Sequence, residues 1–345
     1  PARRRAALAA APLIAVALTA CQPQAATPTR ADTPAAVTAA DHPMTVESCG
    51  TSVTVPEPPG RIVTIKSSAT EMVLALGAGD RLVGAAFLDG PVPEHLADAA
   101  ADLPVMSDQL PSGEAVLEVE PDLVYAGWES NLTAEGAGDR GTLASLGVAT
   151  FVSPAACKEP AHQPDPMTFD LLFEEITQVG ALLGTPEEAA DLVAEHRDAL
   201  AAVDPDPRGL TALWYSSGTD IPYVGAGIGT PQMVMDAVGL TNVAADVHDT
   251  WTSYAWENVA DADPDVIVLV DAAWNTAESK REMLRENPAT ANLTAVVEER
   301  YLVVPFPATE AGVRTVPATV ELASRLADLE LPGATTDGST AQDQP

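Results

Sequence analysis

The sequence predicts an α/β fold in which parallel sheets form two similar halves. Short apolar runs, rich in β-branched residues, alternate with helical stretches along most of the 345-residue chain, as in parallel βα units. A longer helical stretch over 168–203 separates an earlier alternating region from a later one. One segment near residue 120 recurs near residue 260, which indicates that the two regions are related.

The predicted elements of the first half follow one another closely. A strand over 61–65 leads into a helix over 69–76, which Gly77 ends. Further strands are predicted over 82–87, 123–126 and 149–152. Within the helical stretch over 168–203, Pro186 marks either a new helix start or a kink.

The alternation resumes after Pro205 and Pro207. Strands are predicted over 210–215, 266–270 and 301–304, and a final helix over 316–329. The glycine-rich stretch 225–229 lacks the full spacing and the later acidic residue of a dinucleotide-binding loop. It is better explained as a tight turn into a helix over 230–238.

The repeated segment has the pattern E-x-V-x-x-x-x-P-D followed by two apolar residues. It begins at Glu114 in the first half and at Glu257 in the second, 143 residues later. Each copy predicts a short helix that feeds a strand. Because four identities occur in register at equivalent places, duplication explains them better than chance.

The chain is strongly acidic, with 50 acidic and 17 basic residues and a formal net charge of −33. Such a surface repels nucleic acid and anionic membranes, so neither is an expected partner of the folded part. Solubility is the simplest consequence of this charge.

The N-terminal region has the pattern of an export signal. Three arginines at 3–5 precede a short apolar run and the sequence L-T-A-C, which ends at Cys21 and resembles a bacterial lipobox. We therefore expect a lipoprotein signal peptide over 1–21, with lipidation of Cys21 and anchoring to the outer face of the cell membrane. An ordinary signal peptide with an incidental cysteine is the alternative. The compositions of 22–45 and 331–345 predict a flexible linker and a disordered tail.

Two cysteines remain after Cys21, namely Cys49 and Cys157. In an exported chain such a pair predicts one disulfide, and two buried free thiols are the alternative. The bond would close a loop of 108 residues and contribute about 4–5 kcal/mol in the chain-entropy model.

The sequence offers little for catalysis. The five histidines show no metal-ligand spacing on one helix, and no serine lies in a G-x-S-x-G turn. We expect no enzyme activity, no metal site and no cofactor.

A family resemblance is carried by the stretch 61–77, R-I-V-T-I-K-S-S-A-T-E-M-V-L-A-L-G, and by D-R-L-V-G at 80–84. These segments resemble the opening of siderophore-, haem- and cobalamin-type substrate-binding lipoproteins of ABC importers. The similarity extends through 114–124, 222–239 and 257–269.

The resemblance implies two Rossmann-like lobes, over 46–165 and 205–330. A single long spine helix over 166–204 would join them, with a ligand cleft between. It also implies that Glu114 and Glu257 dock on arginines of the permease, which works with its ATPase. We expect a monomer that touches the membrane only through its lipid.

Candidate ligand-binding residues follow from the rule that ligands gather at the carboxyl ends of parallel strands. They are Lys66, Ser67, Ser68, Phe87, Trp128, Glu129, Ser130, Asn131, Lys158, Tyr215, Trp251, Trp274, Asn275 and Arg314. The tryptophans predict a stacking wall, although each could equally be a packed core residue.

Two of the three lysines, Lys66 and Lys158, follow predicted strands on one sheet edge. With Arg314 they predict an anionic ligand, and neutralisation of nearby carboxylates is the alternative. The segments 127–131 and 152–158 resemble an actinobacterial branch implicated in import of a deazaflavin coenzyme precursor that carries a phosphodiester. A ferric siderophore, haem or cobalamin is the alternative ligand. A cleft enzyme and an envelope scaffold are the rival functions.

Overall fold

A computed structural model of the protein describes residues 42–330. The strands, numbered in chain order, are β1 Met44–Ser48, β2 Thr51–Val55, β3 Ile62–Ile65, β4 Leu82–Ala86, β5 Val105–Ser107, β6 Leu123–Ala126, β7 Ala149–Val152, β8 Thr211–Ser217, β9 Tyr223–Gly225, β10 Thr241–Asn242, β11 Trp251–Ser253, β12 Val266–Asp271 and β13 Tyr301–Pro305.

The helices are α1 Ser67–Ala75, α2 Gly113–Glu118, α3 Arg140–Ser145, α4 Phe169–Leu183, α5 Pro186–Ala201, α6 Thr230–Val238, α7 Trp256–Ala262, α8 Ala277–Glu286, α9 Thr294–Val297 and α10 Thr315–Ala327. No helix within residues 42–330 is long and apolar enough to cross a membrane.

Two main sheets carry the fold. The first has the order β5-β4-β3-β6-β7 and is parallel throughout. The second has the order β11-β9-β8-β12-β13, with β10 beside β8. Its β8, β12 and β13 are parallel, whereas β9 pairs antiparallel with β8 and β11. Only a short loop joins β8 to β9, too short for the crossover that a parallel pair needs. The prediction of an α/β fold with parallel sheets is confirmed.

Both faces of each sheet are covered. In β6, Leu123 and Tyr125 belong to one core, whereas Val124 and Ala126 belong to another. In β12, alternate residues divide in the same way between two further cores. Burial on both faces explains why these strands are continuous apolar runs rather than alternating ones.

The repeated segments occupy equivalent places. Asp122 precedes β6, and its carboxylate accepts hydrogen bonds from the main-chain N–H of Arg61 beside β3. Asp265 precedes β12 and accepts from the N–H of Thr211 at the start of β8, at 2.9 Å. Each aspartate therefore ties the start of its own strand to the start of the neighbouring central strand.

The single spine helix that the resemblance implied over 166–204 is wrong, because the range holds two helices, and Pro186 marks a new helix start, which was one of the two alternatives. Gly184 ends α4 in the left-handed conformation, with φ 72°, and Pro186 opens α5. Asp170 of α4 and Arg197 of α5 form an ion pair at 3.0 Å, so the two helices turn back on each other.

The first described residues form a hairpin that the sequence reasoning missed. Strands β1 and β2 are antiparallel, and β1 begins at Met44, so the predicted linker boundary at 45 lies too late. The disulfide between Cys49 and Cys157 is present, as predicted, and joins this hairpin to the segment after β7. Cys21, the signal peptide over 1–21, linker residues 22–41 and the tail 331–345 lie outside the described residues.

Candidate ligand-binding site

Two neighbouring cavities lie at the carboxyl ends of the strands of both sheets. Their volumes are about 220 Å³ and 360 Å³. The smaller is lined by residues that follow β3, β6 and β7 together with others from the second half. The larger is lined mainly by residues at the ends of β8, β12 and β13. Trp128, Trp251, Thr309 and Glu310 line both, so the two cavities are adjacent parts of one site.

Aromatic rings border the larger cavity. Trp128 and Trp274 each meet Phe306 edge to face, with ring centroids 6.3 Å and 5.0 Å apart. Tyr223 and Trp251 are stacked at 5.9 Å. Trp274 is 62% exposed, which is unusual for such a large apolar side chain. Rings arranged in this way provide faces and edges against which a flat ligand can pack.

Glu310 contributes a carboxylate to both cavities. One oxygen accepts a hydrogen bond from the indole N–H of Trp128, and the other accepts from the Ser68 hydroxyl at 3.1 Å. These bonds join the second half of the chain to the first. Burial is the main reason that the pKa of Glu310 is raised to about 7, and the nearby charge of Asp89 adds to the effect.

Lys66 lies beneath the aromatic rings and is 1% exposed. Its ammonium forms an ion pair with the buried carboxylate of Asp89. The same nitrogen lies 3.9 Å from the ring centroid of Trp128 and 4.3 Å from that of Phe87. Its backbone has φ 81°, a conformation rare for residues other than glycine. The ion pair and the surrounding rings hold Lys66 in this conformation.

Arg314 forms a second buried ion pair. Its guanidinium donates to both carboxylate oxygens of Glu71 and to the main-chain oxygen of Pro91. Burial raises the pKa of Glu71, and the Arg314 charge opposes that rise. The pair ties α1 of the first half to the segment before α10.

Gly127 is required for the close approach of the chain beneath the smaller cavity. A Cβ at this position would lie 2.6 Å from the Ser68 hydroxyl oxygen and 2.8 Å from Lys66 Cβ. Any larger residue would displace the side chain that bonds Glu310.

Comparison with known proteins identifies the family. The model of the family described as "Periplasmic binding protein" matches residues 62–308. This chain belongs to that family.

Individual members of the family are similar over much of the chain. A cobalamin-binding protein of Halobacterium salinarum is 29% identical over 72% of this chain, which spans just under two thirds of that relative, at 66%. An uncharacterised ABC transporter substrate-binding lipoprotein of Bacillus subtilis is 26% identical, over 82% of this chain and 85% of that protein. The protein in the crystal structure of an ABC-type Fe³⁺-hydroxamate transport system from Saccharomonospora viridis is 26% identical in sequence to this chain. It superposes with a TM-score of 0.70, over 83% of this chain and 99% of that one.

Five of the predicted ligand-binding residues line the cavities of this periplasmic binding protein. They are Ser68, Trp128, Ser130, Trp251 and Trp274. The other nine do not line either cavity. These are Lys66, Ser67, Phe87, Glu129, Asn131, Lys158, Tyr215, Asn275 and Arg314.

Several of those nine have structural partners instead. Ser67 is buried, and its hydroxyl accepts from the N–H of Asp89 at 2.9 Å. Asn131 accepts from the N–H of Trp128, and Tyr215 packs in the core against Trp256. Phe87 packs edge to face on Trp128, and the side-chain oxygen of Asn275 accepts from the Ser279 hydroxyl. A position directly after a strand therefore predicts that a residue lies near the cavities, but not that its side chain lines them.

The predicted group of free cations is not found at the cavities. Lys66 and Arg314 are each paired with a buried carboxylate, as an unpaired buried charge would be very unfavourable. Lys158 is exposed, and its main-chain N–H donates to Glu129 at 2.6 Å. Lys66 therefore neutralises a nearby carboxylate, that of Asp89, which was the alternative to binding an anionic ligand.

Several lining residues were not among the predicted ligand-binding residues. Glu310 and Phe306 lie in the loop after β13, from which only Arg314 was selected. Tyr223 and Ser153 were also omitted. The signal that could have found the first two was their place in the loop at the carboxyl end of the strand predicted over 301–304.

The two glutamates of the repeated segments lie in the first turns of α2 and α7 and are exposed. Glu257 also lines a surface cavity of about 710 Å³, together with the acidic side chains of Asp220, Glu282 and Glu286. Neither Glu114 nor Glu257 lines the aromatic cavities.

Proposed function

We propose that this periplasmic binding protein is the extracytoplasmic solute receptor of an ABC importer and holds a ring-containing ligand in the two aromatic cavities. The observation that carries the proposal is the joint lining of these cavities by both halves of the chain. A ligand there would contact both sheets at once, so its binding would favour closure of the halves on each other.

The ligand class is inferred from relatives and from the shape of the site. The names of similar proteins refer to cobalamin and to ferric hydroxamate. We infer a ligand of the siderophore, haem or cobalamin class. An anionic deazaflavin precursor has less support, because the basic side chains near the site are paired or lie outside the lining.

Delivery to the permease is assigned to Glu114 and Glu257. Both are exposed at the start of a helix that leads to a central strand, so they occupy equivalent positions in the two halves. The acidic neighbours of Glu257 add to the attraction for a basic permease surface. The receptor would act as a monomer, without catalysis, held at the membrane by a lipid on Cys21.

Titration of the purified receptor with cyanocobalamin, haemin, a ferric hydroxamate and a flavin-like phosphodiester tests this proposal. We expect one of these ligands to bind and to change tryptophan fluorescence. Trp128→Ala and Trp251→Ala should each weaken that binding about tenfold or more, because each removes an aromatic wall. Val297→Ala, an exposed apolar position outside the lining, is the control. Failure of all four ligands, or binding unaffected by both tryptophan variants, would contradict the proposal.

A further inference from the structure

Glu310 differs in charge from everything else that lines the two cavities. Among the described lining residues it is the only Asp, Glu, Lys, Arg or His. The remainder are glycines, aromatic, aliphatic, hydroxyl or amide side chains, the thioether of Met167 and the disulfide-bonded Cys157. A ligand in this site therefore meets one carboxyl group and no basic side chain.

The two hydrogen bonds that hold Glu310 come from neutral donors, the Trp128 indole and the Ser68 hydroxyl. Each carboxylate oxygen can accept a further bond, so capacity for a ligand donor remains. Within residues 42–330, Glu310 forms no ion pair. The basic groups behind it, Lys66 and Arg314, already neutralise Asp89 and Glu71.

The aromatic rings favour the same kind of ligand as the carboxylate. Trp128, Trp251, Trp274, Tyr223 and Phe306 line the larger cavity together with Glu310. The face of an aromatic ring carries negative electrostatic potential and attracts cations, most strongly for tryptophan. Lys66 already uses Trp128 in this way from within the protein. A ligand cation in the cavity would meet other rings of the same set.

We infer that Glu310 selects the charge of the ligand, and that within the proposed class the site prefers a ring compound bearing a positively charged nitrogen to an anionic one such as haem, which carries carboxylates. This inference rests on the proposed receptor function and adds the charge of the ligand to it. The cationic group would lie against Glu310, with the ring against the tryptophans.

The pH dependence follows from the groups around Glu310. Its surroundings contain the Lys66–Asp89 pair, the Arg314–Glu71 pair and, across the larger cavity, the Tyr223 phenol. Because burial raises the pKa of Glu310 to about 7, a substantial share of the unliganded protein carries a neutral Glu310 near neutrality. A cation needs the ionised form, so cation affinity should fall as the pH drops below about 7.

The test uses two tricyclic probes of similar size and opposite charge, 10-methylacridinium and acridine-9-carboxylate, in calorimetric titrations at pH 8.5 and pH 6. We expect the cation to bind more tightly than the anion at pH 8.5, and to weaken about tenfold at pH 6. Glu310→Gln should weaken cation binding about tenfold or more and abolish its pH dependence, because it removes the negative charge that attracts the cation. Glu321→Gln, an exposed glutamate on α10, removes the same charge outside the cavities and should leave both probes unchanged.

Equal or tighter binding of the anion, failure of both probes to bind, or an unchanged pH dependence in Glu310→Gln would each overturn the inference. Circular dichroism of both variants serves as the control for folding and should match that of the parent protein. The cobalamin, haem and siderophore titrations separate the two ideas. If one of those ligands binds through the tryptophans while the probes show no charge preference, only the inference about Glu310 fails.

Discussion

Replacing Glu175 by glutamine should stabilise the protein in mildly alkaline solution and leave it almost unchanged in acid. Glu175 lies on α4 and is 3% exposed. The hydroxyls of Tyr125 and Ser153 donate to its two oxygens at 3.1 Å and 3.0 Å. Burial raises its pKa from 4.5 to about 7, although both hydrogen bonds oppose the rise.

The magnitude follows from this pKa difference. A folded-state pKa of about 7 against the usual 4.5 corresponds to about 3 kcal/mol of unfolding free energy. Because the folded-state pKa is the higher one, this stability is fully present below about pH 4.5 and is lost as the pH rises through about 7. A glutamine keeps the shape and can keep both hydrogen bonds, with its amide nitrogen donating to one of the two hydroxyls, but it cannot ionise. The free energy of unfolding of Glu175→Gln, relative to that of the parent protein, should therefore increase by about 2–3 kcal/mol between pH 5 and pH 8.5.

Urea unfolding of Glu175→Gln and the parent protein at pH 5, 7 and 8.5 measures the effect. Glu174→Gln is the matched control, because this neighbouring glutamate is exposed on the same helix and loses the same charge. The control should show no comparable growth with pH. A Glu175→Gln advantage that stays constant over this range would refute the reasoning, since ionisation of the buried group would then carry no cost.

The anchor, the disulfide and the docking glutamates each lead to a further prediction. Cys21→Ala should release the protein into the medium, and full retention in the detergent phase would contradict lipidation. Replacing Cys49 and Cys157 by alanine should lower stability by about 4–5 kcal/mol, seen as a lower Tm, and two reactive thiols in the unreduced parent protein would refute the bond. Glu114→Ala combined with Glu257→Ala should abolish uptake without changing ligand affinity, so loss of affinity in that variant would place these residues wrongly.

The buried parallel strands could be predicted because the apolar pattern that forms them is local in the sequence. Strands β6 and β7 match their predicted bounds, since both are short apolar runs that end abruptly. Helix α8 was missed because its sequence, AESKREMLRE, has only three buried residues and no wide apolar stripe. Strand β5 has only three residues, none of them buried, so it gives no pattern to recognise.

The site was harder to predict because it depends on partners distant in the chain. Glu310 is held by Trp128 and Ser68, which precede it by 182 and 242 residues. Lys66 was correctly placed at the end of β3, but its partner Asp89 arrives 23 residues later in a loop with no regular pattern. The position of a residue along a strand determines at which edge of the sheet it lies. It does not determine which charged side chains from other segments pair with it at that edge.

Native mass spectrometry of the receptor purified from its own host tests the central claim most directly. We predict a population that carries one non-covalent small molecule. Denaturation should release it, and the variant with both Trp128→Ala and Trp251→Ala should lack it, because both rings line both cavities. A small molecule retained undiminished in that variant would show that the ligand lies elsewhere and would contradict the claim.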